Sequence, residues 1–221
     1  MDYKAICKQI DQNGTLPFSV ATDFLTLCKM PKMSTMALGG LINLIVANMP
    51  EGQRYVNVGV WYGFSLFAGM LGNSNKICIG VDNFSQLGSP RSSFQDGFMK
   101  YGSKYHGFFD MSFQDYFRQY HEGPIGFYFY DGDHSYPCQL DGLKMSEPYF
   151  ADGCLIMVDD TNQEFPRQAT LDFMAQSQNQ YEIILDKMTE QPKDEKWWNG
   201  IMIIKKLGPK AKEITEEEAE D

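Results

Sequence analysis

The sequence YVNVGVWYGFS, residues 55–65, decides the fold because a short apolar run passes into a glycine-bearing turn and then into a stretch of helical character. Gly59 permits a tight turn, and Gly63, four residues later, lets the start of a helix press close to a ligand. A purely structural turn with two glycines is equally common. The stretch therefore predicts a strand-turn-helix unit and leaves open whether the turn binds a ligand.

The same pattern, a short apolar run followed by a stretch of helical character, recurs along the chain after Pro50. Short apolar runs that end in Gly, Asp or Asn predict seven strands, and stretches of helical length follow the first five. The predicted strands are residues 55–58, 77–81, 107–109, 126–130, 155–158, 181–185 and 201–204. This alternation predicts a Rossmann-like three-layer α/β sandwich with a mostly parallel sheet. The loop at residues 186–199 predicts that the last two strands form an antiparallel hairpin, so that the last strand is antiparallel.

The two ends of the chain differ from this pattern. Apolar residues recur at helical spacing between residues 17 and 49, which predicts two N-terminal helices. We therefore predict a helical extension at residues 1–50, one domain at residues 51–207 and an acidic tail at residues 208–221. The last nine residues hold six acidic side chains, which leaves a formal charge of about −4 on the body out of −10 in total. Such a tail is typical of a disordered, solubilising segment.

Composition excludes several classes of function. No stripe of Lys and Arg supplies the footprint that phosphate backbones require, so nucleic acid is not expected as the main partner. The five cysteines are scattered and include no C-x-x-C pair, which disfavours disulfides and zinc and favours a cytoplasmic location. No apolar run approaches the roughly 20 residues of a membrane span, and no leader pattern opens the chain. We therefore expect no membrane partner.

Asp82 ends the second predicted strand, about 20 residues after the glycine turn. An acidic residue there can accept hydrogen bonds from two ribose hydroxyls, or it can simply cap the following turn. The dinucleotide fingerprint G-x-G-x-x-G is absent. The looser G-x-x-x-G spacing suits a nucleoside ligand without a pyrophosphate, such as S-adenosylmethionine.

Three aspartates follow the fourth and fifth predicted strands. Asp131 ends the run YFYDGDHSY, and Asp159 and Asp160 end the run IMVDDT. Neighbouring parallel strands end side by side, so these carboxylates should converge, and a divalent cation would keep them ionised. Helix capping is the alternative, and it accounts for one aspartate at each strand end. The sequence thus predicts a metal site formed by Asp131, Asp159 and Asp160.

Five motifs together resemble the class I S-adenosylmethionine-dependent methyltransferases: VNVGVWYGFS, GVD, FYDGDHSY, VDDT and WWNGIMII. The resemblance covers residues 52–206 approximately and is strongest to the branch of the macrocin and novobiocin sugar O-methyltransferases. It implies that the methionine moiety lies against residues 57–63, the ribose at Asp82 and the adenine beside residues 110–112. It also implies Mg²⁺ at Asp131, Asp159 and Asp160. The implied cofactor contacts are Asn57, Gly59, Trp61, Gly63, Ser65, Asp82, Asn83, Asp110, Met111, Ser112, Asp131 and His134.

Two residues depart from the pattern of that family. Asn57 stands where a glutamate is usual in the glycine turn, and Met111 stands where an acidic or polar residue usually meets the adenine. Asn57 can still form hydrogen bonds through its amide, but it lacks the negative charge of a carboxylate. These departures leave the cofactor's affinity and orientation open.

The resemblance implies methyl transfer to a hydroxyl of a small molecule, with a sugar as the first candidate acceptor and a catechol-like phenol as the second. Asp131 or His134 is the expected general base. Trp197 and Trp198 either close over the acceptor or pack on the sheet edge, and the N-terminal helices either cover the substrate or form a homo-oligomer contact. The alternatives are a catalytically inactive cofactor-binding scaffold and a relative of the cephalosporin hydroxylases. The second is weakened because no iron-binding facial triad is evident.

Overall fold

The computed structural model of the protein describes residues 1–13 and 22–210. Within these residues the strands are β1 (Arg54–Val58), β2 (Ile77–Val81), β3 (His106–Phe109), β4 (Ile125–Tyr130), β5 (Phe150–Asp159), β6 (Asn179–Lys187) and β7 (Ile201–Pro209). The α-helices are α1 (Tyr3–Asn13), α2 (Met36–Asn48), α3 (Phe64–Met70), α4 (Arg91–Tyr101), α5 (Phe113–Gln119), α6 (Tyr136–Ser146) and α7 (Glu164–Gln176). Two 3₁₀ helices span Thr22–Lys29 and Glu147–Tyr149.

The seven strands form one sheet in the order β3-β2-β1-β4-β5-β7-β6. The pairs from β3 to β5 are parallel, whereas β7 runs antiparallel to both β5 and β6. All seven predicted strands, the five helices that follow them and the final antiparallel hairpin are confirmed. The Rossmann-like fold is therefore confirmed as well.

Side chains on the two faces of the sheet build two apolar cores. All six residues of β4 are buried, as expected of a central parallel strand that is covered on both faces. Successive residues of a strand point to opposite faces, so Phe127 and Phe129 join the core under α1 to α4, and Tyr128 and Tyr130 join the core under α5 to α7. This packing fixes the strand ends that carry the polar motifs.

The N-terminal region agrees only in part with the sequence prediction. Helix α2 matches the second predicted helix, with Thr35 as its N-cap, whereas the described part of the first is the 3₁₀ helix Thr22–Lys29. Residues 14–21, where that first helix was predicted to begin, lie outside the described residues. Helix α1 was not predicted, although it buries Cys7 and Ile10 in the same core as α2 and α3.

At the other end, β7 extends to Pro209, two residues past the predicted domain boundary, and its last residues pair with the start of β6. The predicted acidic tail lies outside the described residues from residue 211 onward. None of the described helices is long and apolar enough to cross a membrane.

Candidate active site

A cavity of about 1050 Å³ opens where the central strands end. Because β2, β1, β4 and β5 are consecutive in the sheet, the residues that follow them lie side by side along its floor. The lining at these four strand ends includes Asp82, Gly59, Asp131 and Asp159. The sequence prediction of a ligand crevice at the carboxyl edge of the sheet is thus matched by a cavity.

Both glycines of the turn are required by packing. Gly59 has φ 79°, and an added Cβ would collide with the backbone carbonyl of Asp131. Gly63 has φ 97°, and an added Cβ would collide with the ring of Phe67. Gly59 lines the cavity, whereas Gly63 does not. The G-x-x-x-G spacing is therefore explained by how the turn packs on β4 and α3.

Asn57 points away from the cavity and is fully buried. Its amide nitrogen donates to the carbonyl of Gly59 at 3.2 Å, and its amide oxygen accepts a hydrogen bond of 2.7 Å from the hydroxyl of Ser65. Ser65 itself lines the cavity. Asn57, predicted as a cofactor contact, thus holds the turn against α3 and has no exposed polar atom for a ligand.

Asp82 lines the cavity and also holds two loops together. Its Oδ2 accepts hydrogen bonds from the backbone N–H groups of Val60 and Trp61 at 2.9 and 3.0 Å, and its Oδ1 accepts one from Phe84 at 2.7 Å. Asn83 and Trp61 also line the cavity. Both interpretations of Asp82, as a turn cap and as a ligand-facing carboxylate, are therefore compatible with its position.

The predicted adenine segment divides between two roles. Met111 and Ser112 line the cavity, and the Ser112 hydroxyl caps α5 by accepting a hydrogen bond from the N–H of Asp115. Asp110 does not line the cavity and forms an ion pair with Arg91. Of the three predicted residues, two remain available to a ligand.

The acidic strand ends converge with His134. The Nε2 atom of His134 lies 3.7 Å from Oδ1 of Asp131 and 3.7 Å from Oδ2 of Asp160. Asp160 adopts the left-handed conformation, with φ 55°, and its Oδ2 accepts a hydrogen bond of 2.8 Å from the side chain of Gln163. Oδ1 of Asp159 and Oδ1 of Asp160 are buried and make no hydrogen bond to any described residue.

This crowding changes the pKa values of the cluster. Burial raises the pKa of Asp131, although the nearby charge of His134 acts in the opposite direction. Burial and the charges of Asp131 and Asp160 raise the pKa of Asp159 well above its usual range. Burial lowers the pKa of His134, but the neighbouring carboxylates of Asp131 and Asp160 outweigh it and raise that pKa overall.

The metal prediction rests on this same cluster. Hard oxygen donors of this kind suit Mg²⁺, and the two unpartnered oxygens are the atoms that a cation would engage. Nevertheless, over residues 1–13 and 22–210 no group of three or more His, Cys, Asp or Glu side chains is arranged to hold a metal ion. The ring of His134 lies close to both Asp131 and Asp160 instead.

The two tryptophans of the last loop separate. Trp197 is buried and its indole N–H donates to Oδ1 of Asp11 at 3.2 Å, whereas Trp198 lines the cavity. The loop is held further by the Thr35 hydroxyl, which donates to the carbonyl of Lys196 at 2.7 Å. Trp197 is thus part of the apolar core, and Trp198 is the member of the pair that faces the cavity.

Several cavity residues were not predicted. Lys32, Met33 and Ser34 lie just before α2 and line the cavity. Phe165, near the start of α7, also lines it and is exposed. No motif marks them, because they come from segments remote in sequence that only tertiary packing brings to the strand ends.

Comparison with known proteins agrees with this geometry. Residues 56–161 match a family described as a methyltransferase domain. No curated protein matches the sequence. Among solved structures, the O-methyltransferase from Bacillus cereus in complex with S-adenosylhomocysteine (SAH) superposes with a TM-score of 0.64 at 13% identity, over 93% of this chain and 98% of that one.

Two further solved structures share the fold of this chain. The O-methyltransferase TomG from Streptomyces achromogenes, involved in tomaymycin synthesis and bound to S-adenosylmethionine (SAM), has a TM-score of 0.62 at 11% identity over 94% of this chain and 100% of that one. An rRNA methylase from Streptococcus thermophilus has a TM-score of 0.56 at 11% identity over 75% and 93%. At these identities the likeness shows the fold alone, whereas the family match concerns the sequence. Residues 56–161 therefore resemble a methyltransferase domain in sequence, and the chain shares the fold of solved O-methyltransferases.

Proposed function

We propose that this protein is a SAM-dependent O-methyltransferase that acts on a hydroxyl group of a small molecule. One observation carries the proposal. Asp82, a carboxylate placed to bind a ribose, lines the same cavity as the cluster of Asp131, His134 and Asp160. Pockets for single small ligands usually measure about 300–1,000 Å³. A cavity of about 1050 Å³ thus has room for a cofactor beside an acceptor.

When bound, SAM supplies a methyl group on a positively charged sulfur. Asp82 would orient its ribose, since Oδ1 accepts only one backbone hydrogen bond and retains capacity for a hydroxyl. Met111 and Ser112 would border the adenine. Alignment of this kind supplies several kcal/mol of the barrier reduction for a displacement reaction.

The acceptor's proton needs a base at the reacting end of the cavity. Asp131 and His134 are the candidates, because both residues line the cavity and Nε2 of His134 lies 3.7 Å from Oδ1 of Asp131. A proton taken up by either group stays within the same cluster, where Asp160 provides a second negative charge 3.7 Å from His134. Replacing each in turn, as Asp131→Asn and His134→Gln, would show which of the two is required.

The remaining lining supports a small acceptor. Phe165 and Trp198 offer flat apolar faces at the mouth, and Gln163 and Asn199 offer amides that can bind hydroxyls. The family resemblance favours a sugar hydroxyl over a catechol-like phenol. Five aspartates in the lining disfavour a phosphate backbone as the acceptor.

The acidic cluster also supports assistance by a divalent cation such as Mg²⁺, held by Asp131, Asp159 and Asp160. A cation there would lower the pKa of an acceptor hydroxyl. Since the described side chains are not arranged around one point, the carboxylates would have to rotate toward each other to bind it.

We further propose that residues 51–207 form the cofactor-binding domain and that the extension at residues 1–50 covers the cavity. Lys32, Met33 and Ser34 of this extension line the cavity, which favours substrate covering over a homo-oligomer contact.

Calorimetric titration with SAM, with and without Mg²⁺, tests the proposal. Lack of SAM binding at millimolar ligand would contradict the methyltransferase assignment of the cavity. Binding without turnover on any hydroxylated acceptor would favour a cofactor-binding scaffold. For the cation, we expect Asp160→Ala to abolish Mg²⁺-dependent activity while SAM affinity stays nearly unchanged. Activity that survives both this substitution and EDTA would remove the cation from the mechanism.

A further inference from the structure

The charged lining of the cavity is strongly uneven. Its described residues include five aspartates but only two lysines, Lys32 and Lys193. Neither lysine forms an ion pair with any described residue, whereas other basic side chains such as Arg91 and Lys187 do. A negatively charged ligand group that enters this cavity therefore has two candidate cations.

Lys32 lies on the side of the glycine turn. Its Nζ is 5.5 Å from the centre of the Phe64 ring, and Phe64 directly follows Gly63 at the start of α3. The same Nζ donates a hydrogen bond of 2.7 Å to the carbonyl of Cys28. An ammonium group has three N–H donors, so this bond orients the group and leaves two donors for a ligand.

Ser34 adds a second polar group beside Lys32. Its hydroxyl oxygen is buried and makes no hydrogen bond to any described residue, although Ser34 lines the cavity. A buried hydroxyl without a partner is unfavourable. A ligand acceptor at this position would satisfy it.

Asn57 cannot bind a ligand group at the turn. It is fully buried, and both polar atoms of its amide bond to protein groups, the Gly59 carbonyl and the Ser65 hydroxyl. The polar end of a methionine moiety at the turn therefore needs partners from other residues of the lining, and Lys32 and Ser34 are available there.

We propose that Lys32 and Ser34 bind the α-carboxylate of the cofactor's methionine moiety. This inference rests on the proposed function. Lys32 supplies a charge-assisted hydrogen bond, and Ser34 donates its free hydroxyl to the second carboxylate oxygen. The N-terminal extension thereby becomes part of the cofactor site.

Lys193 provides the matched control. It also lines the cavity and lacks an ion pair, but it is exposed and lies on the loop between β6 and β7, beside Trp198 and Asn199. Its position corresponds to the acceptor side, so its charge should not matter for the cofactor.

Calorimetric binding of two nucleosides tests the proposal without any turnover. SAH carries the amino-acid group, whereas 5′-methylthioadenosine lacks it. We expect Lys32→Met to raise the Kd for SAH about 10- to 100-fold, the range for one charge-assisted hydrogen bond, and to leave the Kd for 5′-methylthioadenosine unchanged. Methionine has a similar unbranched apolar stem and lacks only the ammonium group. Lys32→Arg should retain most of the SAH affinity, Ser34→Ala should show a smaller loss of the same selectivity, and Lys193→Met should change neither Kd.

Two results would overturn the inference alone: an unchanged Kd for SAH in Lys32→Met, or an equal loss of affinity for both nucleosides, which would indicate a general structural defect. If the wild-type protein binds neither nucleoside, the proposed function fails and this inference fails with it. The wild-type titration thus separates the two failures.

Discussion

Replacing Asp82 by asparagine should destabilise the fold even without a ligand. The carboxylate accepts three backbone hydrogen bonds, two at Oδ2 from Val60 and Trp61 and one at Oδ1 from Phe84. Asparagine has the same shape but only one acceptor atom. If its oxygen takes the place of Oδ2, its NH₂ group faces the N–H of Phe84; in the flipped orientation it faces the other two.

The magnitude follows from these bonds. A hydrogen bond to a charged group contributes about 1.5–3 kcal/mol, and a donor left facing another donor loses that contribution. In its better orientation, asparagine retains the hydrogen bonds from Val60 and Trp61, but a neutral oxygen now accepts them. The hydrogen bond from Phe84 is lost. We expect Asp82→Asn to lower the free energy of unfolding by about 2–3 kcal/mol. Because Asp82 also lines the cavity, SAH affinity should fall as well.

Urea unfolding measures the first effect, with Asp133→Asn as the control. Asp133 also lines the cavity and accepts two hydrogen bonds, from the N–H of Ser135 at 2.8 Å and from the amide of Gln86 at 3.0 Å. The Gln86 amide can flip to accept a hydrogen bond from asparagine, so this control should cost less than about 1 kcal/mol. An Asp82→Asn variant no less stable than Asp133→Asn would refute the view that Asp82 holds the two loops.

Three further predictions concern residues around the site. Gly59→Ala should lower the free energy of unfolding by at least about 2 kcal/mol, since its φ is 79° and a Cβ would meet the Asp131 carbonyl; an unchanged melting temperature would contradict this. Burial lowers the pKa of His121 to about 4. As the pH falls, the unfolded state therefore takes up a proton at His121 before the folded state does, which favours unfolding. Urea unfolding should show that the free energy of unfolding falls by about 2 kcal/mol between pH 7.5 and pH 5. His121→Gln should remove that loss, and an equal loss in the variant would assign it to other groups. Asp11→Ala breaks the 2.7 Å ion pair with Lys187 and should accelerate hydrogen exchange in residues 188–200 while SAH affinity is retained; unchanged exchange there would show that α1 does not hold this loop.

The strands could be predicted because their signal is local. Each apolar run of the sequence is followed by a glycine or a polar residue, and the rule for βαβ connections then determines the sheet. Helix α1 carries a local signal as well, because Tyr3, Ile6, Cys7 and Ile10 recur at helical spacing and pack in one core, but the sequence prediction did not extend to it. Its position depends on partners far along the chain, such as the ion pair of Lys4 with Glu182.

A site residue could be predicted from the sequence where its place in the motif also determines the direction of its side chain. Asp82 and Asp131 end their strands and line the cavity, as the crevice rule predicts. Asn57 lies one residue before the end of β1, and strand alternation turns its side chain toward α3. Asp110, itself a predicted cofactor contact, does not line the cavity and pairs with Arg91. A sequence motif thus gives the neighbourhood of a ligand, and tertiary contacts decide which members of the motif reach it.

The glycine turn and the acidic strand ends consequently carry different kinds of information. Gly59 and Gly63 are each required by a steric contact within the protein, so their presence indicates the fold and would persist in a relative that had lost its cofactor. The acidic cluster has no such explanation. Oδ1 of Asp159 and Oδ1 of Asp160 are buried without a partner, and the pKa of Asp159 is raised well above its usual range, which destabilises the ionised state. A ligand that bound these two oxygens would satisfy them, which makes the acidic strand ends the place where activity should be sought.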